Sequence, residues 1–283
     1  MQHRKEWPIA IMCDVLEVNR SYYYEYSKQG LGESEKTLTD VERTLVDLFN
    51  HHKGNYGSRR LEIELHKKGF EVGRYQIRSL MKKHGLVVIQ KSRFKVTTNS
   101  NHNEPIADNL LNREFDVDQP NKVWTTDITY LWTDQGWLYI AVVVDLFSRQ
   151  IIGWSIQDHM RTSLCLDALK MAWFRRKRPI GVMHHSDRGS QYASDDYRNQ
   201  LKHYGMIQSM SRKGNCWDNS PTERVFRTLK SEWLNRFDFQ TKTEATKEVW
   251  SYISYYNSDR IHSTLGYQTP MVYEKQYCLR EAS

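Results

Sequence analysis

The chain has 283 residues, of which 39% are hydrophobic and 12% aromatic, so it can bury a core and is neither disordered nor collagen-like. No apolar stretch approaches the roughly 20 residues of a membrane-spanning helix, and four scattered cysteines without a CxxC pair argue against a disulfide framework or structural zinc. The net charge of +7 is concentrated in residues 51–100, which carry 12 basic and 3 acidic side chains; this pattern is typical of nucleic-acid binding, with a merely soluble basic surface as the alternative.

The first 35 residues suggest a helix-turn-helix-like segment. Ile9–Leu16 has helical apolar spacing, and Asn19 or Ser21 can cap a second short helix through Tyr22–Tyr26. This motif consists of two short helices with a tight turn between them.

A second all-α unit is expected over residues 36–90. Thr39 is expected to cap an amphipathic helix, Gly57–Ser58 opens another, and Gly73 precedes a third that runs from Arg74 to His84. Apolar residues recur at helical spacing and should face inward: Val41, Leu45, Leu48, Phe49, Leu61, Leu65, Ile77, Leu80 and Met81.

Basic side chains occupy outward positions of this unit: Arg59, Arg60, Arg74, Arg78, Lys82 and Lys83. A recognition helix in the major groove packs an apolar face on the protein and presents a basic face to the DNA. An ordinary solvated helix face has the same pattern, but here three helices coincide with the basic block. We therefore predict a helix-turn-helix DNA-binding domain over residues 36–90.

The pattern becomes β after a linker. Residues 91–120 are interpreted as that linker, because residues 91–103 are basic, polar and poor in core side chains. Three stretches rich in β-branched and aromatic residues then predict an antiparallel meander, over Val123–Trp132, Trp137–Val144 and Gln150–Ile156.

Helices and strands alternate after the meander. The predicted elements are a helix over Ser163–Phe174, a strand over Ile180–His184, a helix over Asp195–His203, a strand near Met206–Ser209 and a long helix from Pro221. Together they describe an α/β fold of the ribonuclease H type, a mixed five-stranded sheet with helices, over residues 121–240. Residues 241–283 are expected to form a C-terminal helix, Lys242–Tyr256, and a tail.

Three carboxylates stand out in this predicted core. Asp127 lies mid-strand, where Asp is disfavoured and costly to bury unless it is paired or metal-bound. Asp187 lies at the end of the fourth strand, where α/β sheets place their chemistry, and Glu223 lies in the first turn of the long helix. Each alone has an ordinary explanation: a buried ion pair, a turn cap, or a complement to the helix N-terminus.

Ordered motifs surround these acids. They include WTTDITY at residues 124–130, HSDRG at 185–189 and KGNCWDN at 213–219, and 35 residues (188–222) separate Asp187 from Glu223. In this combination the sequence resembles the OrfB transposases of bacterial insertion sequences, which share the DDE catalytic core of retroviral integrases. The resemblance extends over residues 36–273, and the 35-residue gap is the one that the family uses.

The resemblance implies that Asp127, Asp187 and Glu223 are catalytic ligands of two Mg²⁺ ions, for which Mn²⁺ can substitute. Carboxylates offer the hard oxygen ligands that Mg²⁺ prefers, and three of them clustered without metal would raise one another's pKa. Asp127 would bridge both ions, while Asp187 and Glu223 would each hold one. The nucleophile would be water in the first cut and a DNA 3′-OH in strand transfer.

The resemblance also places Lys230, seven residues after Glu223, against transposon-end DNA. Arg227 lies on the same helix face, where it can grip phosphates or pair with Glu223 itself. Arg212 and Lys213, in the loop before this helix, and the segment Asn257–His262 are further candidates for DNA contacts.

Two other groups near these motifs invite a metal-site hypothesis. His184 and His185 point to opposite sides of a strand, so they cannot easily share a metal, and we predict that His185 supports the neighbouring ligands without binding the ion. Asp145 is the main rival as a carboxylate ligand, although its neighbours Phe147–Arg149 favour a turn cap or a pair with Arg149.

We therefore expect a metal-dependent transposase that binds the terminal inverted repeats of its element and joins them to target DNA. A DNA nuclease without strand transfer and a non-catalytic DNA-binding regulator are the alternatives. The resemblance further implies self-association on paired DNA ends, an OrfA-type partner or a frameshift fusion to it, and a place in the bacterial cytoplasm at the nucleoid, with no membrane partner.

Overall fold

The computed structural model describes residues 8–16, 18–21, 23–24, 33–89, 105–213 and 215–281, with the backbone alone for residues 33–39 and for Cys216. The chain divides into two compact units, residues 1–88 and 89–283. The predicted linker segment 91–103 and the residues Tyr22 and Tyr26 of the first helix-turn-helix-like segment lie outside the described residues. None of the described helices is long and apolar enough to cross a membrane.

The described part of the N-terminal unit is helical, as predicted. Its helices are α1 (Ile9–Val15), α2 (Glu33–His51), α3 (Ser58–Lys67) and α4 (Arg74–Lys83). Extended glycines, Gly57 and Gly73, precede α3 and α4. The predicted cap at Thr39 is wrong, because α2 begins at Glu33; residues 33–38 are mostly good helix formers, and no Gly or Pro separates them from Thr39.

The predicted inward positions form the core of this unit. Leu45, Leu61, Leu65 and Ile77 are fully buried. On α4 the buried residues are Ile77, Leu80 and Met81, whereas the outward positions of the same helix are exposed. The structure thus confirms that α4 has a buried apolar face and an exposed basic face.

The C-terminal unit is built on a five-stranded mixed sheet of order β3-β2-β1-β4-β5. Its strands are β1 (Val123–Thr133), β2 (Gly136–Asp145), β3 (Ile151–Gln157), β4 (Met183–Ser186) and β5 (Ile207–Met210). The first three are antiparallel, and β4 and β5 run parallel to β1. This confirms the predicted ribonuclease H-type architecture.

Helices cover both faces of this sheet. They are α5 (Thr162–Arg175), α6 (Ser190–Ala193), α7 (Asp195–His203), α8 (Ser220–Glu232), α9 (Lys242–Ser258) and α10 (Pro270–Glu281). Side chains of α5 and α7 pack with alternate β2 residues such as Ala141 and Val143. Side chains of α8 and α9 pack with Ile140 and Val142 on the opposite face. The α5 helix approaches β3 closely at Gly153, where a Cβ would overlap the carbonyl oxygen of Ala168.

Two predicted boundaries are corrected by the structure. The fourth strand begins at Met183 rather than at Ile180, because Ile180 is exposed and Gly181 adopts a positive φ of 75° that turns the chain before the strand begins. The predicted C-terminal tail contains the helix α10, which Arg176, the residue after α5, holds by an ion pair to Glu274.

Candidate active site

Asp127 lies on β1 at the point where pairing with β4 has ended. The β4 strand pairs with β1 only at residues 123–125, so β1 has a free edge from there onward. Opposite Asp127, β2 supplies Val142. One carboxylate oxygen of Asp127 accepts a hydrogen bond of 2.8 Å from the Ile128 backbone N–H, and the side chain is only partly buried. An acid here is reachable from solvent at the edge of the sheet.

Asp187 follows the last residue of β4. Thr125 is level with His185 in the parallel register, and two further residues along both chains bring Asp187 level with Asp127. Neighbouring strands are about 4.8 Å apart, so this register brings the two acids close together. The Asp187 carboxylate accepts a 3.0 Å hydrogen bond from the Gly189 N–H, which holds it in the turn after the strand.

Glu223 reaches the same region from α8, whose first turn is tied to β1 by a buried network. The amide nitrogen of Asn219 donates to the backbone oxygen of Thr126 at 3.0 Å. The hydroxyl of Thr222 lies 2.7 Å from that of Thr125 and 3.1 Å from the amide oxygen of Asn219. These bonds attach the residue before Glu223 to the strand that carries Asp127. We call this network the β1–α8 latch; it consists of the side chains of Asn219, Thr222 and Thr125 and the backbone oxygen of Thr126.

The electrostatics of the three acids show that they are neighbours. Burial raises the pKa of Asp127 well above its ordinary value, and the negative charges of Asp187 and then Glu223 raise it further. Burial and the charge of Asp187 also raise the pKa of Glu223, while Arg227 lowers it. Every pair of the three therefore repels, which is costly unless cations compensate.

The three acids supply oxygen donors of the kind that divalent cations prefer. Among the described residues, no three His, Cys, Asp or Glu side chains meet around a single point as a metal cage. Carboxylate oxygens are hard donors, and the charge of Asp187 raises the pKa of both Asp127 and Glu223, so this set suits Mg²⁺ or Mn²⁺ rather than a softer metal.

Two predicted DNA-contacting cations lie on α8 beside the acids. The ammonium group of Lys230 is 4.8 Å from the centre of the Tyr130 ring. Burial lowers the pKa of Lys230, whereas the charge of Asp127 raises it, so this cation faces the acidic cluster. Arg227 is exposed and acts electrostatically on Glu223, which agrees with the predicted intrahelical alternative.

The ring of His185 lies between two serine hydroxyls. Its Nδ1 is 2.8 Å from the hydroxyl of Ser209, and its Nε2 is 3.2 Å from that of Ser211. Burial lowers its pKa to about 4, so the ring is neutral at physiological pH. Through these contacts the ring connects β4 to Ser209 of β5 and to Ser211 in the loop after it.

Asp145, the rival carboxylate, belongs to a structural ion network. It is fully buried, accepts hydrogen bonds from the backbone N–H groups of Asn121 and Phe147, and lies 3.5 Å from Arg176. Burial raises its pKa to about 6 despite that cation. The bond from Phe147 is the turn cap that the sequence predicted as one alternative. The cation within ion-pair distance of Asp145 is Arg176, and not Arg149 of the other alternative.

The loop before α8 uses one of its predicted DNA-binding cations internally. Arg212 donates two hydrogen bonds, of 2.9 and 2.8 Å, to Asp218, and Arg113 donates a third of 2.8 Å. Because Asp218 is fully buried and these bonds hold its pKa below the ordinary value, the guanidinium of Arg212 is an anchor of the loop. The side chain of Arg212 is still 49% exposed, so its DNA contact stays a prediction, as does that of the exposed neighbour Lys213.

The segment Asn257–His262, predicted as a further DNA contact, is largely internal. The Asn257 side chain bonds to both the N–H and the carbonyl of Ile151 at 2.9 Å. Arg260 is buried and donates two 2.7 Å hydrogen bonds to Glu232. These contacts fasten the end of α9 to β3 and to α8, and the prediction for Asn257 and Arg260 is wrong.

The predicted cations of the N-terminal unit differ in their contacts. Arg59, Arg74, Arg78 and Lys82 are exposed. Arg74 bonds to the hydroxyl of Ser58 at 3.3 Å, and Arg60 lies over the ring of Tyr56 at 5.1 Å. Lys83 is 2.7 Å from Glu42 of α2. Lys83 thus contributes to packing between helices, which its position in the sequence does not reveal.

Sequence reasoning missed the residues that align the site. Asn219 stands just before α8, where Asn is a preferred cap, but its side chain caps nothing and bonds across to β1 instead. Asp218 and Arg113 are far apart in sequence and meet only in the fold. Each residue type is compatible with these roles, but the partners are set by tertiary structure.

Comparisons with known proteins match both units. Models described as Integrase core domain match residues 117–216 and 204–270, and one described as HTH-like domain matches residues 37–94. A 31 kDa protein of insertion element IS600 from Shigella sonnei is 41% identical over 270 residues, which is 94% of this chain and 98% of that protein. The transposase InsF of insertion sequence IS3A from Escherichia coli strain K12 is 37% identical over 278 residues, which is 97% and 96% of the two chains.

A solved structure is similar to a weaker degree. The catalytic core domain of HTLV-2 integrase in complex with magnesium has a TM-score of 0.45 and 16% identity, and the match covers 55% of this chain and 97% of that one. The two sequence relatives, which match almost from end to end, are the more informative comparison.

Proposed function

The chain belongs to the family of insertion-sequence transposases that includes InsF, and we propose that Asp127, Asp187 and Glu223 are the catalytic carboxylates of its DNA cleavage and strand transfer. Its integrase core makes it a polynucleotidyl transferase, and its helix-turn-helix unit binds DNA. The observation that supports the proposal is that acids from β1, the end of β4 and α8 act on one another: the charge of Asp187 raises the pKa of both Asp127 and Glu223.

We assign two Mg²⁺ ions to this site, with Mn²⁺ as a substitute. Asp127 would be shared between them, while Asp187 and Glu223 would each hold one. When bound, the ions would activate the attacking oxygen and stabilise charge on the phosphate and on the leaving 3′ oxygen. The attacking group would be water in the first cut and a DNA 3′-OH in strand transfer.

The chain's own residues orient the DNA and the acids. Lys230 presents a cation beside Asp127, where it can bind a phosphate near the scissile bond. Arg227, one turn after Glu223, and the exposed Lys213 can bind phosphates on either side. The β1–α8 latch keeps Glu223 at a defined distance from Asp127.

The joining reaction tests this proposal directly. A labelled DNA end with a free 3′-OH is incubated with an unlabelled target duplex, in Mg²⁺ or in EDTA. We expect joined product from the wild-type chain in Mg²⁺ alone, and none when any of the three acids is replaced by its amide. Cleavage without joined product would instead favour a nuclease, and binding without either would favour a regulator.

Adjacent lysines on α4 give a sharp test of DNA binding by the helix-turn-helix unit. Lys82 is exposed and has no ion-pair partner among the described residues, whereas Lys83 is bound to Glu42. We expect Lys82→Ala to weaken duplex binding and to reduce the slope of log K against log salt by about 0.9, the value of one phosphate contact.

The matched control is Lys83→Ala, which should leave this slope unchanged because its ammonium is already paired. Titrations of a labelled duplex at several salt concentrations measure both variants. Equal slopes for the two variants would show that exposure on α4 does not distinguish DNA contacts.

Asn219→Ala tests the β1–α8 latch. The change removes the donor to the Thr126 carbonyl and leaves that buried oxygen unsatisfied. A displacement of about 1 Å at a reacting centre can cost roughly 10²-fold in rate, and we expect a loss of that order in kcat with unchanged duplex affinity.

Thr222→Ser, which keeps the hydroxyl of the latch, should retain activity and serves as the control. If Asn219→Ala lowers only the melting temperature and leaves kcat as in the wild type, the latch contributes to folding alone.

We propose that the active form is an assembly. Joining both ends of an element requires that the ends be held together, and the resemblance to OrfB proteins supports self-association on paired ends and an OrfA-type partner or fusion. The bacterial relatives and the basic face of α4 support a place at the nucleoid.

A further inference from the structure

Three aromatic side chains form a continuous row on the β1–β2 hairpin. The rings of Tyr130 and Trp137 are 5.0 Å apart and nearly perpendicular, and those of Trp137 and Trp132 are 4.8 Å apart at 74°. We call these three residues the aromatic ladder. An edge-to-face pair uses one edge or one face of each ring, so the exposed rings of the row keep faces that can stack on another aromatic group.

The two tryptophans of the aromatic ladder are exposed to solvent. The side chains of Trp132 and Trp137 are 56% and 44% exposed. Cross-strand aromatic pairs stabilise a hairpin, but that role does not require that two adjacent tryptophan side chains be exposed to solvent. Single exposed aromatics are ordinary, whereas a contiguous exposed group commonly marks a binding surface.

The aromatic ladder begins at the acidic site. Lys230, which interacts with Asp127, has its ammonium group over the Tyr130 ring. Successive side chains of a strand point to opposite faces of the sheet. Tyr130 and Trp132 are three and five residues after Asp127, so they point to the face opposite to that of Asp127. Lys230 thus reaches around the free edge of β1 and links the acids on one face to the ladder on the other.

The hairpin that carries the ladder is held in place. Its turn is closed by a 2.8 Å bond from the Thr133 hydroxyl to the Gly136 carbonyl. The Asp134 N–H donates to Phe239, and the Lys242 N–H donates to the side chain of Gln135, each at 3.0 Å. The segment before α9 therefore fixes the tip, and the aromatic rings are preorganised for a ligand.

We propose that the aromatic ladder stacks the bases of an unpaired DNA strand that leaves the acidic site around the edge of β1. This inference rests on the proposed function and names the form of its substrate. A base pair within a duplex hides its faces in the stack, whereas an unpaired nucleotide offers a π face that aromatic side chains bind without regard to sequence. The cation of Lys230 supplies the matching charge for the backbone at the start of the ladder.

Binding of two DNA probes tests this proposal with the full chain in EDTA, so that no cleavage occurs. One probe is a labelled blunt duplex, and the other is the same duplex with an unpaired thymidine tail. We expect the wild type to bind the tailed duplex more tightly. The double variant Trp132→Ala, Trp137→Ala should bind the tailed duplex about tenfold more weakly than the wild type and the blunt duplex equally well.

Trp250→Ala is the matched control, because Trp250 is also 56% exposed but lies on α9, outside the aromatic ladder. It should bind both probes like the wild type. If the double variant does not fold, the single change Trp132→Ala keeps Trp137 against Tyr130 and is tested in the same way, with a smaller loss expected.

Two results would overturn the proposal. One is a folded ladder variant that binds both probes like the wild type. The other is loss of self-association by the variant, seen in sedimentation, with unchanged binding of the tailed duplex, since the ladder would then be a protein contact. Because the readout needs neither metal nor cleavage, either result leaves the assignment of the three acids standing.

Discussion

Replacing Asp127 with asparagine is expected to reduce cleavage and strand transfer by at least about 10³-fold while DNA binding by the N-terminal unit persists. Asparagine has nearly the same size but carries no charge to hold the shared cations. Cations at such a site contribute several kcal/mol of charge stabilisation in the transition state, and each 1.36 kcal/mol corresponds to a factor of ten in rate. Asp134→Asn, at an exposed acid on the same hairpin, should keep full activity.

The same variant has an expected effect on stability that does not depend on activity. The pKa of Asp127 is raised in the folded protein, so the folded state holds its proton more tightly than the unfolded state does. Stability from this group is therefore greatest below its ordinary pKa of 3.8 and is lost as pH rises through the raised value. At neutral pH without metal, Asp127→Asn should melt at a higher temperature than the wild type.

Thermal denaturation in EDTA and in Mg²⁺ or Mn²⁺ measures this effect. The wild type should gain stability when either ion is added, because an ion that binds only the folded state stabilises it, and Asp127→Asn should gain much less. The advantage of the variant in EDTA should shrink as pH falls toward 3.8. Equal responses of wild type and variant to the ions would contradict the assignment of Asp127 as a shared ligand.

Replacing Arg260 with methionine is expected to be the most destabilising of these substitutions. The Arg260 side chain is only 5% exposed and makes a two-bond ion pair with Glu232, which is 16% exposed. Burial by itself lowers the pKa of Arg260, but the hydrogen bonds and charge of Glu232 outweigh it and raise the pKa above its ordinary value. Removing one member of a buried pair costs about 3 kcal/mol or more, because the other charge is left without its partner.

For a unit of this size, that loss corresponds to a decrease in melting temperature of roughly 6–12 °C. The double variant Arg260→Met, Glu232→Met should recover much of it, since an apolar pair can replace a buried ion pair. If Arg260→Met melted like the wild type but bound DNA more weakly, Arg260 would be a DNA contact after all, as its sequence context suggested.

Much of the architecture could be predicted from sequence because its signals are local. Alternating Thr, Ile, Tyr and Trp predicted β1, and apolar spacing predicted α3 and α4 within a residue or two. The motif residues that surround Asp127, Asp187 and Glu223 identified the class of enzyme, which the relatives confirm. The roles of the three acids and the identity of the ions stay predictions.

Predictions failed where the outcome depended on a partner distant in sequence. Arg260 was expected to contact DNA, but it is buried against Glu232. Arg212 is bonded to Asp218 but half exposed, so its DNA contact stays a prediction. The sequence places Lys82 and Lys83 side by side with the same charge, yet only Lys83 lies 2.7 Å from Glu42. A basic residue type is visible in sequence, whereas its availability depends on which carboxylate the fold brings beside it.

The sequence by itself determined the order of helices and strands, the basic block and the three acids, because hydrophobic periodicity and residue chemistry act over a few neighbouring positions. Only the tertiary structure decided that β4 aligns Asp187 with Asp127, that Asn219 ties α8 to β1, and that the aromatic ladder extends from the acidic site. These arrangements depend on strand register and on contacts between residues far apart in the chain, which form when the sheet and its helices pack together.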